Sequence, residues 1–107
     1  MKPKKPLPDS LSQAEQAFDK ALRLLDQNEG PKAEALLELV INAARRSNEQ
    51  TLVARALCVL GEWLNEQGRS AEADAHLAEV VAMKPADPDL IAYEQRRARA
   101  ILDSRGR

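Results

Sequence analysis

Residues 57–85 constrain the fold most tightly. Leu57, Leu60, Gly61 and Leu64 fall at helical spacing, Gly68 interrupts them, Ala73, Leu77 and Val80 resume the spacing, and Lys84-Pro85 stops it. Residues three and four apart share one helix face. A glycine after such a run, and a proline after the next, are stop signals. The stretch therefore writes one antiparallel helix pair. Gly61 and Ala73 are the notches: each lets the two backbones approach where a larger side chain would wedge them apart.

The same logic extends along the chain. Residues 1–11 form a basic arm in which three prolines and three lysines oppose a regular helix and favour a flexible, extended course. Ser12-Gln13-Ala14-Glu15 reads as a capping box opening a helix over 13–28, with Ala14, Phe18, Ala21, Leu22 and Leu25 on one face. Asn28-Glu29-Gly30 ends that helix and Pro31 suits the first turn of the next, over 31–46. Its apolar stripe is Ala33, Leu36, Leu37, Val40, Ile41 and Ala44, and Arg45 and Arg46 complement the dipole in its last turn. Ser47-Asn48-Glu49-Gln50 reads as a second capping box, for a helix running to 67. Ser70 is the expected cap of a fourth helix over 71–83. Asp87-Pro88-Asp89 restarts the chain as a fifth helix over 88–103. No segment alternates with period two, and short loops make neighbouring helices antiparallel. The predicted fold class is all-α: two α-hairpins plus a C-terminal capping helix, about five helices within residues 12–104.

The two hairpins repeat one another. Phe18, Ala21, Leu22 and Leu25 precede Leu57, Leu60, Gly61 and Leu64 by one constant offset. Ala33, Leu37 and Val40 precede Ala73, Leu77 and Val80 by an offset longer by one. A one-residue difference in the turn would reconcile the shifts, and it would set Leu22 in the place of Gly61. The order of residues 54–87 resembles a tetratricopeptide repeat. The resemblance covers about 13–103 and is specific in the second hairpin, where Leu57, Leu64 and Leu77 stand in for aromatic residues. The first hairpin is a degenerate match. The interval between hairpins exceeds the ~34 residues of a regular array, so the second helix, the third or both should be a turn longer than usual. The fifth helix, with Glu94 and Gln95 where the pattern wants leucine and glycine, looks like the polar cap of such an array.

Composition narrows the function classes. Cys58 is the only cysteine and His76 the only histidine, so neither an internal disulfide nor a dedicated zinc site is expected, and no nucleophile–base pair suggests an enzyme. Residues 1–5 carry three lysines, and residues 96–107 carry five arginines against one aspartate. With a net charge of −1, residues 6–95 then hold −8. An acidic body with basic ends disfavours nucleic acid as the main partner. No run approaches the ~18 apolar residues of a membrane span, and the start lacks a secretory apolar run, so a soluble cytoplasmic protein is expected. No cofactor is expected.

The family resemblance implies a non-enzymatic scaffold or chaperone-like module that binds a protein or peptide segment in a groove lined by helices 1 and 3. Helical phase and the resemblance place Gln16, Asp19, Arg23 and Gln27 there from helix 1, and Arg55, Cys58, Glu62, Asn65 and Glu66 from helix 3. The alternative is a self-assembling structural protein in which the apolar edge of helix 1 or helix 5 pairs with a second copy, a possible homodimer with an idle groove. Trp63 is expected to pack between hairpins. Tyr93 is expected at the core edge or against another subunit. Arg96, Arg97 and Arg99 are expected to serve the helix end or an acidic partner.

Overall fold

A computed structural model describes residues 11–105. The predicted arm over 1–11 lies outside the described residues except for Leu11, which is helical. The described chain is all-helical: α1 (Leu11–Asp26), α2 (Gly30–Arg46), α3 (Gln50–Glu66), α4 (Ser70–Ala82), a 3-10 turn (Pro88–Ile91) and α5 (Ala92–Ser104). None of these helices is long and apolar enough to cross a membrane. As the long interval between hairpins required, α2 and α3 have 17 residues each against 13 in α4.

The chain divides into two compact units, residues 1–49 and 50–107. In the first, α1 packs on α2, burying Ala14, Phe18 and Ala21 against a stripe that includes Ala33, Leu37 and Val40. In the second, α3 packs on α4 and α5 lies against both. Its core includes Leu57, Leu60, Leu64, Leu77 and Val80, with Ile91 and Ala98 brought in by the last segment. Gly61 is buried on α3. A Cβ built there would stand 2.7 Å from Leu77 Cδ2, 2.8 Å from Leu77 Cγ and 3.5 Å from the Ala73 carbonyl oxygen. The notch predicted at Gly61 and Ala73 is thus real, and Leu77 fills it.

The turns follow a rule that the capping boxes concealed. Asn28, Asn48 and Gly68, evenly spaced along the chain, take φ of 64°, 58° and 80°. After each, the next amide reaches back five positions: Glu29 N–H to Leu24 O (2.8 Å), Glu49 N–H to Ala44 O (2.9 Å) and Arg69 N–H to Leu64 O (3.0 Å). The positive-φ residue itself donates three positions back, to Leu25, Arg45 and Asn65. These bonds are the paired backbone closure of a Schellman motif. Glu29 and Arg69 also open the following helix, accepting from Ala33 N–H and Ala73 N–H at 3.0 Å each.

Three predicted caps are therefore displaced. Ser12 lies inside α1, which is already helical at Leu11. Ser47 terminates α2, because the chain turns at Asn48 and α3 starts only after Glu49. Ser70 is the first residue of α4, and Arg69 stands at its cap with no side-chain bond. Asp87 does cap, its Oδ1 accepting from Asp89 N–H at 3.1 Å, but the turn it opens is 3-10 before it becomes α5.

Equal turns also fix the register between hairpins. Asn28 and Gly68 both take positive φ, and the same bonds return to Leu24 and Leu64. The offset that carries Asn28 to Gly68 therefore carries Ala33 to Ala73 as well, and it holds throughout. The predicted one-residue difference is absent, and Ala21, not Leu22, takes the place of Gly61. Ala21 is fully buried, while Leu22 is only half-buried.

Candidate functional site

The residues expected to line a groove meet different fates. On α1, Gln16, Asp19, Arg23 and Gln27 are all exposed, on turns of a helix whose C-terminus is fixed by the Asn28 turn. On α3, Arg55 and Glu66 are exposed, but Glu62 and Asn65 are half-buried and engaged by α5. Arg97 Nε donates to Glu62 Oε2 at 2.8 Å, and Arg105 donates to Asn65 and, from Nε at 2.7 Å, to Asp74 Oδ1. These arginines clasp α5 to α3 and α4. Gln95 completes the clasp by donating its side-chain amide to the carbonyls of Val80, Val81 and Met83 at 2.9–3.3 Å. They lie at the C-terminal end of α4, where helix donors run out, and the Val80 carbonyl also accepts from Met83 N–H at 3.2 Å. The polar residue that departs from the repeat pattern is thus a cap for its neighbour.

Cys58 lies beneath this clasp. Its side chain is buried, with Sγ 3.8 Å from Glu62 Oε2 and 3.9 Å from the Glu94 carbonyl oxygen. Burial, then the negative charges of Glu62 and Glu94, push the thiol up to about 12. A thiolate is the reactive form, so Cys58 is an inert packing residue at neutral pH. The same Glu62 carboxylate holds the Arg97 guanidinium above its ordinary pKa through their hydrogen bond and opposite charges. Among the described residues, no three His, Cys, Asp or Glu side chains come together as metal ligands would. Trp63 is half-buried with Arg69 over its ring, 5.9 Å from the centroid.

Among the described residues, one concave surface lies where residue spacing gave no sign of it. In the first unit a depression of about 380 Å³ opens between α1 and α2. Leu24, Ala35, Leu36 and Leu39 line it, with Lys20 and Lys32 among its walls. Leu36, expected in the core, is half-buried, and Leu39 is 38% exposed. Lys32 has a loose ion pair with Glu29 at 3.7 Å, in which both side chains are largely in water. Such a pair contributes little and exchanges readily. The signal was present in α2, where Leu36, Leu37, Leu39, Val40 and Ile41 offer more apolar surface than one face can bury.

The chain matches no protein-family model, no curated protein and no solved structure.

Proposed function

We propose that this protein is a non-enzymatic protein-binding module, a scaffold or chaperone-like part acting in the cytoplasm, of the kind the tetratricopeptide resemblance implies. The observation that carries the reading is the depression on the first unit. A concave, mainly apolar surface with a few charged groups at its edge is what a docking site for a protein segment requires. Here Leu24, Ala35, Leu36 and Leu39 offer the apolar floor and Lys20 and Lys32 the charge. Gln16, Asp19, Arg23 and Gln27 continue along the exposed side of α1.

The reading shifts the weight of the partner surface toward α1 and α2, since Glu62 and Asn65 of α3 already bond to α5. Helices fixed by backbone-closed turns lose little freedom when a partner docks, which favours affinity. A buried thiol held protonated supports a binding role over a catalytic one.

The test is affinity capture from the native cell with the wild-type chain and four variants: Leu39→Glu, Arg23→Glu, Arg55→Glu and, as control, Lys84→Glu. The reading expects a partner retained by wild type and control, lost by Leu39→Glu and weakened by Arg23→Glu, with Arg55→Glu close to wild type. A partner held equally by Leu39→Glu and Arg23→Glu would refute the site.

A further inference from the structure

The second unit carries a surface that answers the first. At the entry to α5, Leu90 is 58% exposed and Tyr93 is 62% exposed. Leu90 lies in the 3-10 turn and Tyr93 follows three positions later, so both project from one side. Asp87, three positions before Leu90, and Asp89, beside it, are exposed carboxylates. The Asp87 cap closes the start of the segment and the fully buried Ile91 anchors it to the core. An apolar knob with acidic flanks thus stands on the second unit. An apolar depression with lysine flanks lies on the first.

We propose that the occupant of the α1–α2 depression is the Asp87–Tyr93 corner of a second copy of this chain. This rests on the reading that the depression is a docking surface, and it names the partner. Two observations single out a second copy. Charge is one: Asp87 and Asp89 complement Lys20 and Lys32, whereas Lys2, Lys4 and Lys5 of the chain's own beginning bring the same sign as the depression. The repeat register is the other: Lys20 and Leu24 stand where the second unit has Leu60 and Leu64, which are 0% and 1% exposed. Lys20 is exposed and Leu24 half-buried, so this edge of the first unit is the less covered of the two and has surface to offer a second copy.

The contact joins two different patches, so it is head-to-tail and continues from copy to copy unless the rotation closes a ring. A few side chains a side make a small interface, well under the ~1,200 Å² of stable complexes, so association is weak and fast. Sedimentation velocity of the full chain from ~10 μM to ~1 mM should show the average coefficient rising with concentration. Leu39→Glu and Tyr93→Gln alter exposed side chains on opposite partners of the contact, and each alone should remain monomeric over that range. Mixed, they should form a 1:1 dimer that grows no further, because one variant keeps its knob and the other its depression. Circular dichroism of each variant should match wild type, which separates lost contact from lost fold.

A wild-type chain that stays monomeric throughout would overturn the proposal. So would variants that fail to complement on mixing. If the pure chain stays monomeric while cellular capture still depends on Leu39, the second copy is excluded as occupant and the docking surface stands.

Discussion

In the register that pairs Asn28 with Gly68, Ala21 matches Gly61, Ala33 matches Ala73, Leu37 matches Leu77 and Val40 matches Val80, and all of them are buried. In the same register Lys20 matches Leu60, Leu24 matches Leu64 and Leu36 matches His76. The first set is the seam between two paired helices, and both units keep it. The second set lies outside the seam, and there the units diverge. In the second unit a third helix adds Ile91 and Ala98 to the core and clasps its neighbours through Gln95, Arg97 and Arg105. Among the described residues the first unit is a pair of helices, with Leu36 half-buried and Leu39 38% exposed. A hairpin seam needs small residues at the crossing and leucines beside them. The third helix covers the side of the second hairpin that carries Cys58, Glu62 and Asn65, and the matching side of the first carries Phe18, Leu22 and Leu25.

Substitutions can break this comparison, beginning with the seam. Gly61→Leu should destabilise the chain by about 3 kcal/mol or more, because even a Cβ there meets Leu77 at 2.7 Å and Leu77 is fully buried. Urea unfolding would measure it, and a neutral result would mean that the notch does not exist. In the matching place of the first unit, Ala21→Gly should cost only about 1 kcal/mol, the helix penalty of glycine.

The clasp comes next. Gln95→Leu should cost about 1–3 kcal/mol, since it removes the side-chain donor that the Val80, Val81 and Met83 carbonyls share. Arg97→Ala should cost less than about 1 kcal/mol, because its pair with Glu62 is half in water. Equal losses at the two positions would mean that the arginine holds the third helix as firmly as the glutamine.

The turns predict smaller effects of opposite sign. Gly68→Ala should cost about 1 kcal/mol, since its φ of 80° suits glycine alone without strain. Asn28→Gly and Asn48→Gly should instead be neutral or gain a few tenths of a kcal/mol in the same conformation. Loss of stability at both asparagines would argue that their side chains, and not their backbone angles, make the turns.

Cys58 sharpens the comparison from within the second unit. Its thiol is raised to about 12 in the folded chain, above its ordinary value. The unfolded chain therefore loses that proton first as pH rises. The stability this contributes is intact below the ordinary thiol pKa and is lost as pH climbs toward 12. Between about pH 8 and about pH 10.5 the wild type should lose more stability than Cys58→Ala. Labelling of Cys58 by a thiol reagent at neutral pH should also require opening of α5 from α3. Labelling as fast as in the denatured chain would contradict the clasp.

Much of this was legible in the sequence. Five helices, the Gly61–Ala73 notch and the Asp87 cap follow from spacing and chemistry acting over a few residues. The serines misled because capping boxes compete with backbone-only turns. After the turns at Asn28 and Gly68, one following residue, Glu29 or Arg69, both closes a helix and opens the next, and no serine is needed. The single register shared by both hairpins stayed hidden because asparagine and glycine do the same job under different names. On α3, helical phase identified Glu62 and Asn65 as a polar face but carried no information on what packs there, because Arg97 and Arg105 lie far along the chain. Leu39 and Lys20 escaped for a related reason. Whether an apolar edge is covered depends on what packs against it, which the pattern of one helix does not encode.

The central claim is that the second unit is a hairpin clasped by a third helix, while the described residues of the first are a pair of helices. Native-state amide hydrogen exchange on the dilute full chain tests it most directly. The amides of α3, α4 and α5 should exchange together through the costlier opening, and those of α1 and α2 through one cheaper by at least about 1 kcal/mol. Exchange of α5 by itself, ahead of every other helix and with α1–α2 the best protected, would contradict the account.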